Sequence, residues 1–128
     1  MFAATSPYAA LLAALFLVLS ARVIFARRSA SVSLGDGGDP ALQRRIRAHG
    51  NCAEYAVFGL FLLALAEAGG LPGPWVHLLG LMLLLGRLSH AYALSFEGAG
   101  QAFRVAGMGL TFTQIGVTAA VLLVEGVL

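Results

Sequence analysis

Four long apolar segments alternate with short polar ones along this chain. The apolar stretches predict helices over residues 7–27, 40–68, 74–94 and 101–124. Each segment reaches the length of about 20 residues that an α-helix needs to cross the hydrocarbon core of a bilayer. The connections between them are rich in serine, glycine, aspartate and proline, residues that end helices. The pattern therefore predicts an all-α membrane protein, a bundle of four transmembrane helices in a single domain spanning residues 1–128.

The second helix has a clear start signal in Asp39 and Pro40. Aspartate suits the N-cap position because its side chain can accept a hydrogen bond from a free backbone N–H. Proline suits the first helical position because it has no N–H to leave unpaired. We therefore expect Asp39 to cap the helix.

Composition supports the membrane assignment. The chain has 128 residues, of which 59% are hydrophobic and 11% are charged, whereas a soluble domain carries about 25% charged residues. All eight basic residues are arginine, and six lie between the first and second apolar segments. In so apolar a chain this cluster indicates a cytoplasmic loop and not a nucleic-acid site. With four spans, both termini then face the other side of the membrane.

The second helix carries polar residues where lipid should exclude them. Arg44, Arg47, Asn51 and Glu54 follow one another at i, i+3, i+7 and i+10, which is one stripe of an α-helix. Ionisable groups inside a bilayer are costly and point to function. The alternative is a topology signal plus one ion pair that joins two helices of the bundle.

The next two helices add further cations at the same membrane face. Arg87 and His90 lie at i and i+3 and share a face of the third helix. Arg87 is the expected partner of Glu54, since a buried carboxylate must be paired or become neutral. Arg104 begins the fourth helix, either as part of a site or as a cation that reaches up to the membrane surface.

These residues exceed what one internal ion pair requires. The surplus of cations favours an anionic ligand with an amine or amide portion, held at the cytoplasmic membrane edge. A stripe of weakly polar residues on the fourth helix is better explained by helix packing than by a substrate path; it consists of Gly107, Thr111, Gln114 and Thr118. Cys52 is the single cysteine and is expected to be a small buried hydrophobe. No metal-ligand spacing is present.

RIRAHGNCAEY on the second helix and GRLSHAYAL on the third resemble the membrane-associated proteins in eicosanoid and glutathione metabolism, the MAPEG family. The likeness runs from about residue 20 to the end and is strongest to the small bacterial branch. It implies a homotrimer that binds glutathione between adjacent subunits near the cytoplasmic face. It assigns glutathione binding to Arg47, Asn51, Glu54, Arg87 and His90. Arg104 matches an arginine associated with the thiol, and Arg22 or Arg27 matches a first-helix arginine.

Three positions depart from the family pattern. Gly50 stands where some members have a second arginine before the helix-two asparagine. Leu94 and Met108 stand where glutathione-using members have tyrosines. Glutathione binding is therefore expected more firmly than activation of its thiol.

The resemblance implies a glutathione-dependent transferase or peroxidase that acts on lipophilic electrophiles arriving from the lipid along helices one and four. Arg104 would be the catalytic residue. One alternative is a non-enzymatic lipid-binding or scaffold protein of the same fold, and another is a small transport or channel component. The expected partners are membrane lipid, a lipophilic substrate and two further copies of the chain. We expect a location in a bacterial inner membrane, with periplasmic termini.

Overall fold

The computed structural model describes residues 1–127, with side chains described up to Val124. It contains four α-helices, α1 (Ser6–Ala30), α2 (Pro40–Gly69), α3 (Gly73–Ser95) and α4 (Gln101–Val127). Each helix is long and apolar enough to cross a membrane. The prediction of an all-α bundle with four spans is confirmed, and the observed helices extend past the predicted ends by at most three residues.

The helix ends follow from local chemistry. Asp39 Oδ1 accepts a hydrogen bond from the N–H of Ala41 at 2.8 Å, and Pro40 occupies the first turn of α2, as predicted. Gly70 ends α2 in a left-handed conformation with a φ of 105°. Glycine is favoured there because it has no Cβ to clash. Pro74 then lies in the first turn of α3, so only a very short connection separates α2 from α3.

The most extensive helix contact joins α3 to α4, and α2 packs on all three other helices. Two glycines bring the backbones of α3 and α4 close together. A methyl carbon on Gly107 would lie 2.7 Å from the carbonyl oxygen of Gly86 and 2.7 Å from the backbone nitrogen of His90. Small residues permit such approaches between membrane helices. The crossing places α4 directly against the polar end of α3.

Two small apolar clusters form the interior. Leu12, Leu19 and Leu83 belong to the cluster on the side of the arginine-rich loop, and Leu63 and Val76 belong to the other. Many large apolar side chains point outward instead, including Leu17, Phe61 and Leu123. Such a broad apolar exterior is unusual for a soluble protein and natural for one that faces lipid.

Candidate functional site

Arg87 lies at the centre of the polar region. Only 1% of its surface is exposed, and the neighbouring helices supply its hydrogen-bond acceptors. Its Nη1 donates to Asn51 Oδ1 on α2 at 2.6 Å. Its Nε donates to Thr111 Oγ1 on α4 at 3.0 Å. The guanidinium therefore ties α3 to α2 and α4.

The second terminal nitrogen of Arg87 turns toward α4. Nη2 donates to the sulfur of Met108 at 3.2 Å and approaches the carbonyl oxygen of Gly107 at 3.5 Å. The guanidinium carbon lies 5.3 Å from the centre of the Tyr55 ring. All these partners are neutral. A buried cation surrounded only by dipoles and a ring is a strong attractor for an anion.

The expected pair between Arg87 and Glu54 is wrong for a single chain. Glu54 is exposed, and the one ion pair found among the described side chains joins Arg44 to Glu97 at the surface. The stripe is wider than the contact surface, since Glu54 is offset from Asn51 by about 60° around the α2 axis. Asn51 faces the interior and reaches Arg87, whereas Glu54 points outward.

His90 is buried one turn after Arg87 on the same helix, with 4% of its surface exposed. Arg87, Arg104 and Arg47 all lie near enough to its ring to act on it electrostatically. Arg47 and Arg104 are exposed. Of the six predicted site residues, the structure therefore gathers five around one end of the bundle. Asn51, Arg87 and His90 are inside, Arg47 and Arg104 are at the rim, and Glu54 faces away from Arg87.

Two arginines of α1 were alternatives for the first-helix position. Arg22 Nη2 donates to the carbonyl oxygen of Ser95 at the end of α3, at 3.2 Å. Its guanidinium also lies 5.3 Å from the centre of the Phe96 ring. Arg27 instead donates to the carbonyl oxygen of Gly35 in the loop after α1. Arg22 is therefore the arginine that reaches the end of α3 that carries His90.

The weakly polar stripe of α4 packs against the neighbouring helices inside the bundle. Thr111, Gln114 and Thr118 are fully buried. The amide nitrogen of Gln114 donates to the carbonyl oxygen of Gly59 at 3.3 Å and to Thr118 Oγ1 at 3.1 Å. The predicted role in helix packing fits these contacts. The transport or channel alternative depends on this stripe, and these packing contacts do not support it.

A polar cluster at the opposite end of the bundle was missed from the sequence. The two carboxylate oxygens of Glu67 accept hydrogen bonds from the N–H groups of Ala4 and Thr5, at 2.9 and 2.8 Å. The Tyr8 hydroxyl lies 3.1 Å from Nδ1 of His77. In the sequence, Glu67 is a charge within an apolar run, but its spacing gives no sign of a contact with the first residues of the chain. The Glu67 carboxylate ties the start of α1 to the end of α2.

Two cavities lie beside the polar region. An open groove of about 500 Å³ runs along α4, and Arg104, Met108 and Phe112 are among its lining residues. An apolar groove of about 220 Å³ separates α1 from α2, with Phe16 and Cys52 in its wall. Cys52 is buried, as expected. No group of three histidine, cysteine or carboxylate side chains that could hold a metal occurs among the described residues.

The comparison with known families agrees with this architecture. The model of the MAPEG family matches residues 5–124. This chain belongs to the MAPEG family. It is 41% identical over 85 residues to the inner membrane protein YecN of Escherichia coli strain K12, and equally to YecN of Escherichia coli O6:H1 strain CFT073. The match covers 66% of this chain and 65% of the length of those relatives. With its four apolar helices, the chain is a multi-pass membrane protein of this family.

Two of the departures from the MAPEG pattern now have a structural description. At the position expected to carry a helix-four tyrosine, the Met108 thioether accepts a hydrogen bond from Arg87. Leu94, at the other tyrosine position, packs against the apolar core. Tyr92 lies close in sequence but is about half exposed, and its ring packs against the rings of Phe96 and Phe103. No phenol hydroxyl is therefore supplied to the site from these two positions.

Proposed function

We propose that this MAPEG protein binds glutathione at the cytoplasmic end of the bundle and uses the thiolate either to attack lipophilic electrophiles or to reduce peroxides. The observation that carries the proposal is the buried Arg87, which has only neutral partners among the described residues. Arg47 and Arg104 add positive charge around His90. Such a surplus of cations favours an anionic ligand.

Glutathione suits this arrangement because it carries two carboxylates, one amine, two amide groups and a thiol. Arg47 and Arg87 would hold the carboxylates by charge-assisted hydrogen bonds. Asn51 and His90 would bond the amide portion. Glu54, exposed and unpaired with Arg87 within one chain, would take the amine. The carboxylates and the amine of glutathione would thus neutralise the arginines and Glu54, respectively.

We propose that a neighbouring copy completes the site and that the assembly is a homotrimer. Glu54, Arg47 and Arg104 are all exposed in the single chain. An exposed carboxylate within a membrane helix is costly unless it meets a partner or water. A second copy packed on this face of α2 would enclose the ligand between subunits. Native mass spectrometry of the detergent-solubilised protein should give three chains per particle, and a monomer at all detergent concentrations would contradict the arrangement.

Arg104 is the candidate catalytic residue. Free glutathione should resemble an ordinary thiol with a pKa of about 8.5, and only its thiolate is nucleophilic. A nearby guanidinium favours the anion and raises its fraction at neutral pH. The thiol proton passes to water, the sulfur forms a bond to the electrophilic carbon, and the leaving group departs with its bonding electron pair. With a hydroperoxide the thiolate instead attacks one peroxide oxygen, the O–O bond breaks, and the alcohol leaves after taking up a proton. A second glutathione then attacks the sulfur of the resulting sulfenic acid, giving the disulfide and water.

The α4 groove offers a route for the electrophile. Arg104, Met108 and Phe112 follow one another at i, i+4 and i+8, so they form one line along the helix. The line runs from a cation at the membrane edge to an aromatic ring deeper in the apolar part. A lipophilic molecule could therefore slide from the lipid toward a thiolate held at Arg104.

The decisive experiment is a glutathione titration of the purified protein in detergent, followed by thiolate absorbance and by turnover of chlorodinitrobenzene and of a lipid hydroperoxide. We expect binding at millimolar concentration or below. Arg104→Ala should lower kcat by about 10- to 100-fold, equivalent to about 1.4–2.7 kcal/mol, with little change in KM. Arg45→Ala is the matched control, because Arg45 lies in a separate cleft at the end of α1. Absence of glutathione binding at millimolar concentration would refute the proposal.

One observation favours a second candidate, a non-enzymatic lipid-binding or scaffold protein of the same fold. The thioether of Met108 and the aliphatic Leu94 supply no hydroxyl to a bound thiol. Under this alternative, glutathione binds but thiolate absorbance stays at its solution value and neither electrophile is consumed. Met108→Tyr would then be expected to raise the thiolate fraction.

For the cell, we propose a location in a bacterial inner membrane, with both termini in the periplasm. The support is the positive charge between α1 and α2, because arginine-rich loops stay in the cytoplasm. Alkaline phosphatase, which is active only in the periplasm, should be active when fused to the C-terminus and inactive when inserted after Gly37. The reverse pattern would overturn the orientation.

A further inference from the structure

A second basic site lies at the end of α1, away from the proposed glutathione site. It is a cleft of about 340 Å³, lined by Ile24, Arg27, Arg28, Ser31, Val32 and Ser33. We call it the α1-end cleft. Two guanidinium groups and two hydroxyls give it many hydrogen-bond donors. None of these residues is used by the proposed transferase chemistry.

The arginines of the α1-end cleft form no ion pair among the described residues. The following loop has two aspartates, but their side chains accept hydrogen bonds within the loop and at the start of α2. Asp36 Oδ1 accepts from the N–H of Gly38 at 2.9 Å, and Asp39 Oδ1 accepts from the N–H of Ala41. Neither forms an ion pair with an arginine of the cleft among the described residues.

The donors of the two arginines are largely free. Arg27 gives one N–H to the carbonyl oxygen of Gly35, and a guanidinium has five such donors. Arg28 is exposed and makes no side-chain hydrogen bond within the described part of the chain. The cleft therefore presents a concentrated positive charge to an incoming anion.

The placement of this charge matches the two parts of a lipid. Ile24, Arg27, Arg28 and Ser31 lie at i, i+3, i+4 and i+7, so they share one face of α1. Two turns earlier on that face is Leu17, which is 66% exposed, and Ile24 is 50% exposed. The exposed apolar side chains on this face of α1 would contact the acyl chains of the bilayer, and the face ends in the cationic cleft at the membrane surface.

Ser31 adds an independent observation. It is the C-cap of α1, with φ 55° and ψ 37°, a left-handed conformation. Glycine is the favoured residue at this kind of helix end, because other residues meet a steric penalty there. The chain has a hydroxyl-bearing residue instead, and that residue lines the cleft.

We propose that the α1-end cleft binds the phosphate of an anionic phospholipid. Arg27 and Arg28 donate to the phosphate oxygens, the hydroxyls of Ser31 and Ser33 donate to the phosphate or the headgroup, and the acyl chains follow Leu17 and Ile24 into the bilayer. Basic clusters beside a transmembrane helix attract anionic lipids in this way. The site is independent of glutathione and holds whether or not the protein is an enzyme.

The test is native mass spectrometry of the protein with phosphatidylglycerol and, separately, with zwitterionic phosphatidylcholine. Each arginine near the membrane surface should contribute about fivefold in affinity for the anionic lipid, so Arg27→Gln with Arg28→Gln should weaken phosphatidylglycerol binding by about 30-fold. Phosphatidylcholine binding should not change. The control Arg45→Gln removes a positive charge from the neighbouring cleft and should alter phosphatidylglycerol binding by less than about fivefold.

Three results would overturn the lipid site. The first is unchanged phosphatidylglycerol affinity in the double variant, and the second is an equal loss in Arg45→Gln, which would indicate diffuse charge only. The third is displacement of the lipid by millimolar inorganic phosphate, which would indicate a simple anion site.

Ser31→Gly separates a binding role from a structural one. Glycine removes the strain of the left-handed conformation, so thermal stability should stay the same or rise. The hydroxyl is lost, so phosphatidylglycerol affinity should fall by about threefold to tenfold. A residue with only a structural role would not lose affinity while stability is kept or increased, and unchanged affinity would remove Ser31 from the site.

Discussion

Substitution of Gly107 by alanine tests the contact on which the polar region depends. The added methyl carbon would lie 2.7 Å from both the carbonyl oxygen of Gly86 and the backbone nitrogen of His90, and 3.0 Å from the His90 Cβ. Two of these three atoms belong to the backbone and cannot rotate away. The helices α3 and α4 must therefore separate by several tenths of an ångström.

The expected loss follows from overpacking, which destabilises a well-packed interior by about 1–3 kcal/mol. Gly116 on the same helix is the matched control, because nothing lies within 4 Å of a methyl group placed there. Gly116→Ala should be neutral or stabilise by up to about 1 kcal/mol through helix propensity. The free energies of unfolding of the two variants should therefore differ by about 1–4 kcal/mol.

The assay is unfolding by sodium dodecyl sulfate of the detergent-solubilised protein, followed by far-ultraviolet circular dichroism. Gly107→Ala should also weaken glutathione binding, because its carbonyl lies beside Arg87 and its backbone beside His90. Gly86→Ala should act on the same crossing, so the losses in the double variant should not add. Equal stability of Gly107→Ala and Gly116→Ala, or simple additivity with Gly86→Ala, would refute the close crossing.

Two other side chains give further predictions. Asn51→Ala removes the oxygen that accepts from Arg87 at 2.6 Å, and the unsatisfied buried donor should lower the free energy of unfolding by about 1–3 kcal/mol. Asn51→Asp should recover that loss in the same unfolding assay, since it restores an acceptor with a negative charge. Glu67→Gln leaves one acceptor for the two N–H groups of Ala4 and Thr5. Hydrogen exchange at the start of α1 should therefore accelerate by about fivefold or more, and unchanged protection would contradict the contact.

Much of the fold could be predicted from the sequence because lipid imposes strong constraints. Apolar segments of about 20 residues, separated by glycine and proline, leave little choice but helices. The capping role of Asp39 also followed, because it depends only on neighbouring residues along the chain. The helical spacing of the weakly polar residues on α4 likewise predicted which side of that helix faces the interior of the bundle.

The partner of Arg87 could not be predicted in the same way. The charge rule favoured Glu54, but the choice between Asn51 and Glu54 depends on the rotation of α2 about its own axis. That rotation is set by packing, for instance at Gly59, where an added methyl would lie 2.8 Å from both Gln114 and Leu83. The contact of Glu67 with the first residues was missed for a similar reason, because it joins parts of the chain more than 60 residues apart.

The outward orientation of Glu54 has a consequence for the proposed ligand site. If Glu54 paired with Arg87 inside one chain, the two charges would cancel and a ligand would have to break that pair before binding. With Asn51 as the internal partner, the Arg87 guanidinium is positioned by neutral groups and keeps its full charge. The carboxylate is meanwhile available at the surface for an amine or for a neighbouring subunit. A site of this kind is preorganised for a zwitterionic ligand, because neither charge must first give up a partner of opposite sign.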